Sequence, residues 1–407
     1  VRRTGPLPGS TEYAGQFAAS PDALVRFPLG VLWFDDTLAH FKRSPQPVFD
    51  RDTMISRPKN WDVPRFEKSN KIDYPLLPFV LSDIYTGRVL AETERPKLRT
   101  ALKPSSPSAL EPSQYRRPGQ PFSTRPGPVE TGNRINPLTG VSEPRTFPKT
   151  YGCDGGVDYG LLYTLRSGTA AYYDQRIESG TVYLSGPRSG CTNSIIPSGG
   201  LLNVPYYYEG CTCSYPLPMA MALVSMPDRH EQWSSWGKSR IQPGTIQRIG
   251  LNFGAPGDRM TKDGTLWLDY PSVGGPSPEL AIEATPSTRY AYRHSLWMNR
   301  EDPMPWIGAS VAEGLERLVI KDLNPGDYSV RLYFAETTPS GKASGVQTIR
   351  LQGNAVLEDF DITREAGEVM KGIVREFENI VVEGSLVLEM SAQKGRTLIS
   401  GIELMRQ

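Results

Sequence analysis

The chain has 407 residues with 45 Lys+Arg against 44 Asp+Glu, a formal charge of +1. That length suggests two or three domains, and the charge balance argues against a general nucleic-acid binder, whose domain is clearly basic. The 39 glycines and 37 prolines make up about 19% of the residues, against an average of about 12%, so long helices are disfavoured and a β-rich, loop-rich chain is expected.

Residues 1–100 alternate short apolar runs with turn residues. Val25–Phe34, interrupted by Pro28 and Gly30, reads as a strand, as do Val48–Ser56 and Leu76–Tyr85. Residues 101–150 carry ten prolines among Ser, Thr, Arg and Gly, too little apolar surface for a core of their own. They read as an extended arm or linker. Tyr115, Phe122, Ile135 and Phe147 supply apolar contacts, and Tyr115, Phe122 and Phe147 are the expected anchors on a partner surface.

Residues 151–232 are dense in Gly and Tyr, with short strands at Leu161–Leu165, Thr181–Leu184 and Ala220–Val224. All four cysteines, Cys153, Cys191, Cys211 and Cys213, fall in this stretch. Their number and crowding read as two disulfides in an oxidising compartment. Free thiols and a metal site are the alternatives, although the spacing lacks the paired C-x-x-C of zinc ribbons. From Ile246 onward, runs at Arg317–Leu323, Gly326–Ala335, Gln347–Gln352, Phe377–Val382 and Leu386–Ser391 are separated by Gly and Asn-Pro-Gly turns. Regular short strands of this kind predict a β-sandwich over 245–407. Glu365–Val374 is read as one short helix or a loop.

No apolar window approaches the ~18 residues a membrane helix needs. The chain opens Val1-Arg2-Arg3 without an apolar leader region and reads as a processed or partial chain. Its three histidines, His40, His230 and His294, lie in separate segments, leaving little for a catalytic triad. Walker-type and dinucleotide-binding glycine loops are absent from the sequence, and Asp258 and Asp263-Gly264 lack EF-hand spacing. No catalytic residue, metal site or cofactor is assigned. Aromatics carry the most information: Tyr290, Tyr292, Trp297 and Trp306 lie in a stretch rich in Arg, His, Asn and Pro. Rings of this amphipathic kind suit sugar stacking or protein interfaces, while packing within the core is the simpler use.

Two resemblances add to this reading. Leu251–Arg259, Gly264–Pro271, Tyr328–Glu336, Leu351-Gln352-Gly353, Asp359–Ile362 and Ile399–Leu404 together resemble malectin-like domains of large secreted bacterial proteins. The resemblance covers roughly 245–407. It implies a jelly-roll β-sandwich, in several cases binding glucose-containing oligosaccharides through loop aromatics and an aspartate. Tyr290 and Tyr292 sit about where that family places loop aromatics. The final loop, Ala392–Thr397, lacks the aromatic-and-aspartate segment.

In the first half, Pro28–Phe34, Asp83–Leu90, Tyr151-Gly152-Cys153, Arg166–Ala170, Gly190-Cys191 and Gly210–Pro216 resemble blades of quinoprotein-type β-propellers, and the D-x-x-T-G turn recurs degenerately at Asn136–Gly140. That pairing is similar to secreted planctomycete-type proteins. The implied architecture is all-β: a short or partial propeller-like region (1–100 and 151–232), the arm, then the sandwich. The implied role is a non-enzymatic, extracytoplasmic binding or assembly protein with protein partners and a possible oligosaccharide ligand, and without nucleic acid. A subunit of a redox complex, with or without a quinone cofactor, and a subunit of an extracellular fibre or coat are the alternatives.

Overall fold

A computed structural model describes residues 3, 5–13, 21–35, 47–56, 65–66, 72–73, 78–99, 129–148, 156–185, 195–205, 219–338 and 345–407. The four cysteines and the anchors Tyr115 and Phe122 lie outside these residues, so the disulfide and anchor expectations are not addressed by them. The described chain is built almost wholly of strands, as the composition and turn spacing predict. It divides into two compact units: 1–129 with 149–176 and 182–226, and 130–148 with 177–181 and 227–407.

The first unit is made of small antiparallel sheets. Val157–Asp158, Leu162–Ser167, Thr169–Asp174 and Val182–Leu184 form a four-stranded meander. A second four-stranded sheet joins distant parts of the unit: Leu29–Asp35 pairs with Ala220–Ser225, followed by Leu201–Val204 and Ile196–Ser198. Val48–Asp50, Thr53–Ser56 and Val80–Asp83 form a third sheet, extended by a bridge from Ser82 to Val89. Tyr13, Phe49, Met54, Ile84, Tyr159, Ile196 and Leu201 form a buried apolar cluster in this unit.

The D-x-x-T-G turn shows why its residues recur. Asp83 Oδ1 accepts the Tyr85 and Thr86 amides at 2.9 and 3.0 Å, and Gly87 N–H returns to the Asp83 carbonyl at 2.9 Å. Gly87 has φ +70°, and a Cβ there would stand 2.5 Å from the Trp33 ring. Only glycine meets both demands. In the other unit, Asn136 builds the same turn: its Oδ1 accepts Leu138 N–H at 2.9 Å, and its carbonyl accepts Gly140 N–H at 2.8 Å.

The second unit is the sandwich. A six-stranded sheet runs in the order Arg259–Met260, Leu266–Tyr270, Arg248–Phe253, Gly401–Arg406, Gly326–Phe334, Ile373–Val382. A five-stranded sheet runs Ile282–Ala284, Arg317–Ile320, Leu386–Lys394, Val346–Leu351, Asn354–Asp361. Alternation along the strands places Leu251, Val330, Leu332, Ile349, Leu388, Ile402 and Leu404 in one core. Of Glu365–Val374, read as a helix or a loop, only Glu365 and Ala366 are helical, as the end of a short helix at Ile362–Ala366; Gly367, in the left-handed region, ends it, a turn follows, and a strand begins at Ile373.

Upstream residues complete this unit. The hairpin Val129–Ile135 with Ser142–Phe147 carries the Asn136 turn, and Leu138 at its tip is fully buried in the sandwich core. Leu138 also accepts Gln247 N–H through its carbonyl at 2.7 Å. Phe147, an expected partner anchor, is wholly buried.

Candidate functional site

The four aromatics singled out from the sequence occupy different environments. Arg289–Tyr292 is a short strand paired with Ser310–Glu313. Tyr290 is half-buried and meets Tyr270 edge-to-face at 5.7 Å between ring centroids, with Phe253 at 6.5 Å. Burial, with the neighbouring Tyr270, pushes its hydroxyl up to about 12, so it stays a neutral donor.

Tyr292, two residues on, starts a chain of perpendicular rings. It meets Trp233 at 5.9 Å, Trp233 meets Trp306 at 6.0 Å, Trp306 meets Trp267 at 5.7 Å, and Trp267 meets Tyr333 at 5.1 Å. Such edge-to-face contacts each contribute about 0.5–1.5 kcal/mol beyond area burial. Trp267 can lie flat on its sheet because residue 250 is glycine: a Cβ there would come within 2.4 Å of the indole.

Trp306 is part of this interior. It lies in the one-turn helix Pro305–Gly308, begun by proline at its first position, and is 2% exposed. Arg259 stands 4.6 Å from its ring centroid. The same guanidinium donates to the carbonyls of Asp228, His230 and Gln232. Trp306 therefore packs the unit and does not face solvent.

Trp297 is the opposite case. It ends the 3-10 turn Ser295–Trp297 and is 63% exposed, beside Leu296 at 86%. Two adjacent large apolar side chains are thus held outward on one short turn. The turn is fixed from below. His294 precedes it and accepts the Leu296 amide on Nδ1 at 3.1 Å. Glu231, whose side chain is 7% exposed, accepts Ser295 N–H at 2.7 Å on one oxygen and the Trp233 indole N–H at 3.0 Å on the other. Glu231 thus ties the outward turn to the inward ring chain. Nothing in the sequence marks Glu231 beyond its position two residues before Trp233.

A second polar feature lies beside the ring chain. Asp258 accepts Trp236 N–H at 3.0 Å, Ser277 Oγ–H at 2.9 Å and Asp269 N–H at 3.3 Å. Asp269 accepts the Val273 and Gly274 amides at 2.6 and 2.7 Å. Burial, with the nearby Asp269 carboxylate, pushes Asp258 up to about 8 and favours its neutral acid. The pair fastens the loop 271–277 against the segment around Trp236. Among the described residues, no three His, Cys, Asp or Glu side chains gather as metal ligands. His230, half-buried and near Arg259, has its imidazole pKa lowered by both.

Residues 320–405, about a fifth of the chain, match the malectin domain family, and their two-sheet architecture is the β-sandwich of that domain. No curated protein matches the chain. Among solved structures, β-glucuronidase of Bacteroides uniformis is similar at 14% identity and a TM-score of 0.33, over 39% of this chain and 18% of that one. The extracellular domain of ANXUR2 from Arabidopsis thaliana is similar at 17% identity and a TM-score of 0.32, over 40% of this chain and 41% of that one. The plant receptor-like kinase FER is similar at 17% identity and a TM-score of 0.30, over 39% and 42%. The chain spans less than half the length of each of these three structures. Among the described residues, no helix is long and apolar enough to cross a membrane.

Proposed function

We propose that this chain is a non-enzymatic, extracytoplasmic binding and assembly protein, and that its malectin-type unit takes a carbohydrate at the turn carrying Trp297. The supporting observation is the contrast between two tryptophans nine residues apart, with Trp306 inside the ring chain and Trp297 held outward on a braced turn. An exposed indole offers a flat apolar face to the C–H face of a pyranose. Leu296 extends the apolar rim, and Tyr292, half-buried behind it, backs the turn through Trp233.

Tyr290 and Trp306 are assigned supporting roles, since both pack against other rings. The small antiparallel sheets of the first unit suit propeller-type blades, and that unit is assigned the contacts with other protein chains. A glycan array probed with the full chain and with Trp297→Ala tests this reading. Retained binding of one sugar class by the wild type and its loss in the variant is the expected result. Equal binding by both proteins, or binding by neither, would remove Trp297 as the carbohydrate contact.

A further inference from the structure

The brace beneath Trp297 contains a proton-sensitive joint. His294 Nδ1 accepts the Leu296 amide at 3.1 Å, which requires that nitrogen to be unprotonated and fixes the proton of the neutral ring on Nε2. The same Nδ1 lies 3.6 Å from Glu231 Oε2, the oxygen that accepts the Ser295 amide. His294 is half exposed, so protons reach it freely, while Glu231 is buried against Trp233.

We infer that His294 and Glu231 form a pH-sensitive hinge that positions Trp297, and the inference rests on the reading of Trp297 as the ligand-facing ring. With His294 neutral, its lone pair caps the turn and holds Leu296 and Trp297 outward. Once protonated, Nδ1 carries a hydrogen and cannot accept from Leu296; two donors then face each other. Glu231 Oε2, 3.6 Å away, is an acceptor for the new N–H. The imidazolium is drawn to that carboxylate and competes with Ser295 for it, so the turn loses its cap on one side and is crowded on the other. Of the other charged groups, His230 interacts electrostatically with both Glu231 and His294, and Arg259 lies beside His230. Histidine ordinarily titrates between pH 5 and 8, so the hinge opens on mild acidification and the proposed sugar site is weakened there.

The test is the indole N–H signal of Trp297 in the full chain, labelled at tryptophan nitrogen and assigned by its absence in Trp297→Phe, followed from pH 8 to pH 5. The wild type is expected to show a titrating shift of this signal. His294→Asn supplies a cap acceptor that does not titrate, and in it the shift should disappear. Glu231→Gln keeps an oxygen for Ser295 but removes the charge, and should move the midpoint to lower pH. A Trp297 signal that is flat in the wild type, or that titrates equally in His294→Asn, overturns the hinge. No ligand is used, so a failed glycan array would leave a positive titration standing, and a positive array would not rescue a flat one.

Discussion

The guanidinium carbon of Arg134 stands 3.6 Å from the ring centroid of Trp236, with both side chains excluded from solvent. Arg134 also donates from Nε to Glu143 at 2.8 Å and from Nη1 to the Trp236 carbonyl at 3.2 Å. Ser239 Oγ–H donates to Glu143 at 3.2 Å. One buried cation thereby joins the hairpin at 129–147 to the segment that leads into the sandwich.

Removing that cation should be costly. Arg134→Met keeps much of the stem but leaves Glu143 without its ion-pair partner and the indole without its cation. Breaking a buried pair of this kind costs about 3–5 kcal/mol, reduced here because Glu143 is partly exposed. A loss of about 2–3 kcal/mol in denaturant unfolding of the full chain is expected. A change below about 0.5 kcal/mol would mean that the hairpin is only loosely attached.

Leu138 gives an independent check on the same attachment. It lies more than a hundred residues before the start of the strand Arg248–Phe253 yet is fully buried in the core that strand helps to form. Leu138→Ala should cost about 2–5 kcal/mol. A fragment of 130–407 should also unfold at higher denaturant than one of 245–407. Equal midpoints for the two fragments would argue that the hairpin adds nothing to the sandwich.

Asp258 sets a pH dependence with a definite sign. Its folded-state pKa, about 8, lies above the ordinary value near 4. The neutral acid is the form the fold accommodates, so the contribution is complete below about pH 4 and is lost as pH rises through about 8. Stability of the unit should fall between pH 5 and pH 9 by on the order of a few kcal/mol. Asp258→Asn should flatten that slope, although Asn cannot reproduce every acceptor of Asp258. Thermal melts across the range decide it: identical slopes in both proteins would assign the dependence to other groups.

Gly87 tests the turn in the first unit. Alanine there would need φ near +70° and would bring its methyl against Trp33, whose indole N–H is held by the Ile84 carbonyl at 2.7 Å. The left-handed conformation alone costs about 1–2 kcal/mol, and the displaced indole adds to it. A loss of about 2–4 kcal/mol is expected for Gly87→Ala, since overpacking costs about 1–3 kcal/mol by itself. A melting temperature unchanged from the wild type would show that Trp33 moves aside without penalty.

What the sequence made legible is local chemistry. Strand alternation around Leu332, and glycine and asparagine at turns such as Gly353 and Asn324, announce the sandwich because each residue acts within a few positions of itself. The Asp83 and Asn136 turns were visible for the same reason. Arg134 and Trp236 meet across 102 positions, and no periodicity records that. The aromatic set was found as a set, but its sorting was not legible: Trp297 and Trp306 lie in the same kind of polar, proline-containing stretch. Burial of Trp306 follows from partners scattered at Trp233, Arg259 and Trp267. The nearest local sign for Trp297 is its neighbour His294, whose ring suits the start of a short turn.

Whether Trp297 is the ring a carbohydrate meets is read from the indole N–H spectrum of the full chain during titration with a mixed library of oligosaccharides. The Trp297 signal is expected to shift in a saturable way while those of the buried Trp267 and Trp306 hold still, and Trp297→Ala to abolish binding. Saturable oligosaccharide binding that leaves the Trp297 signal unmoved and survives Trp297→Ala would contradict it.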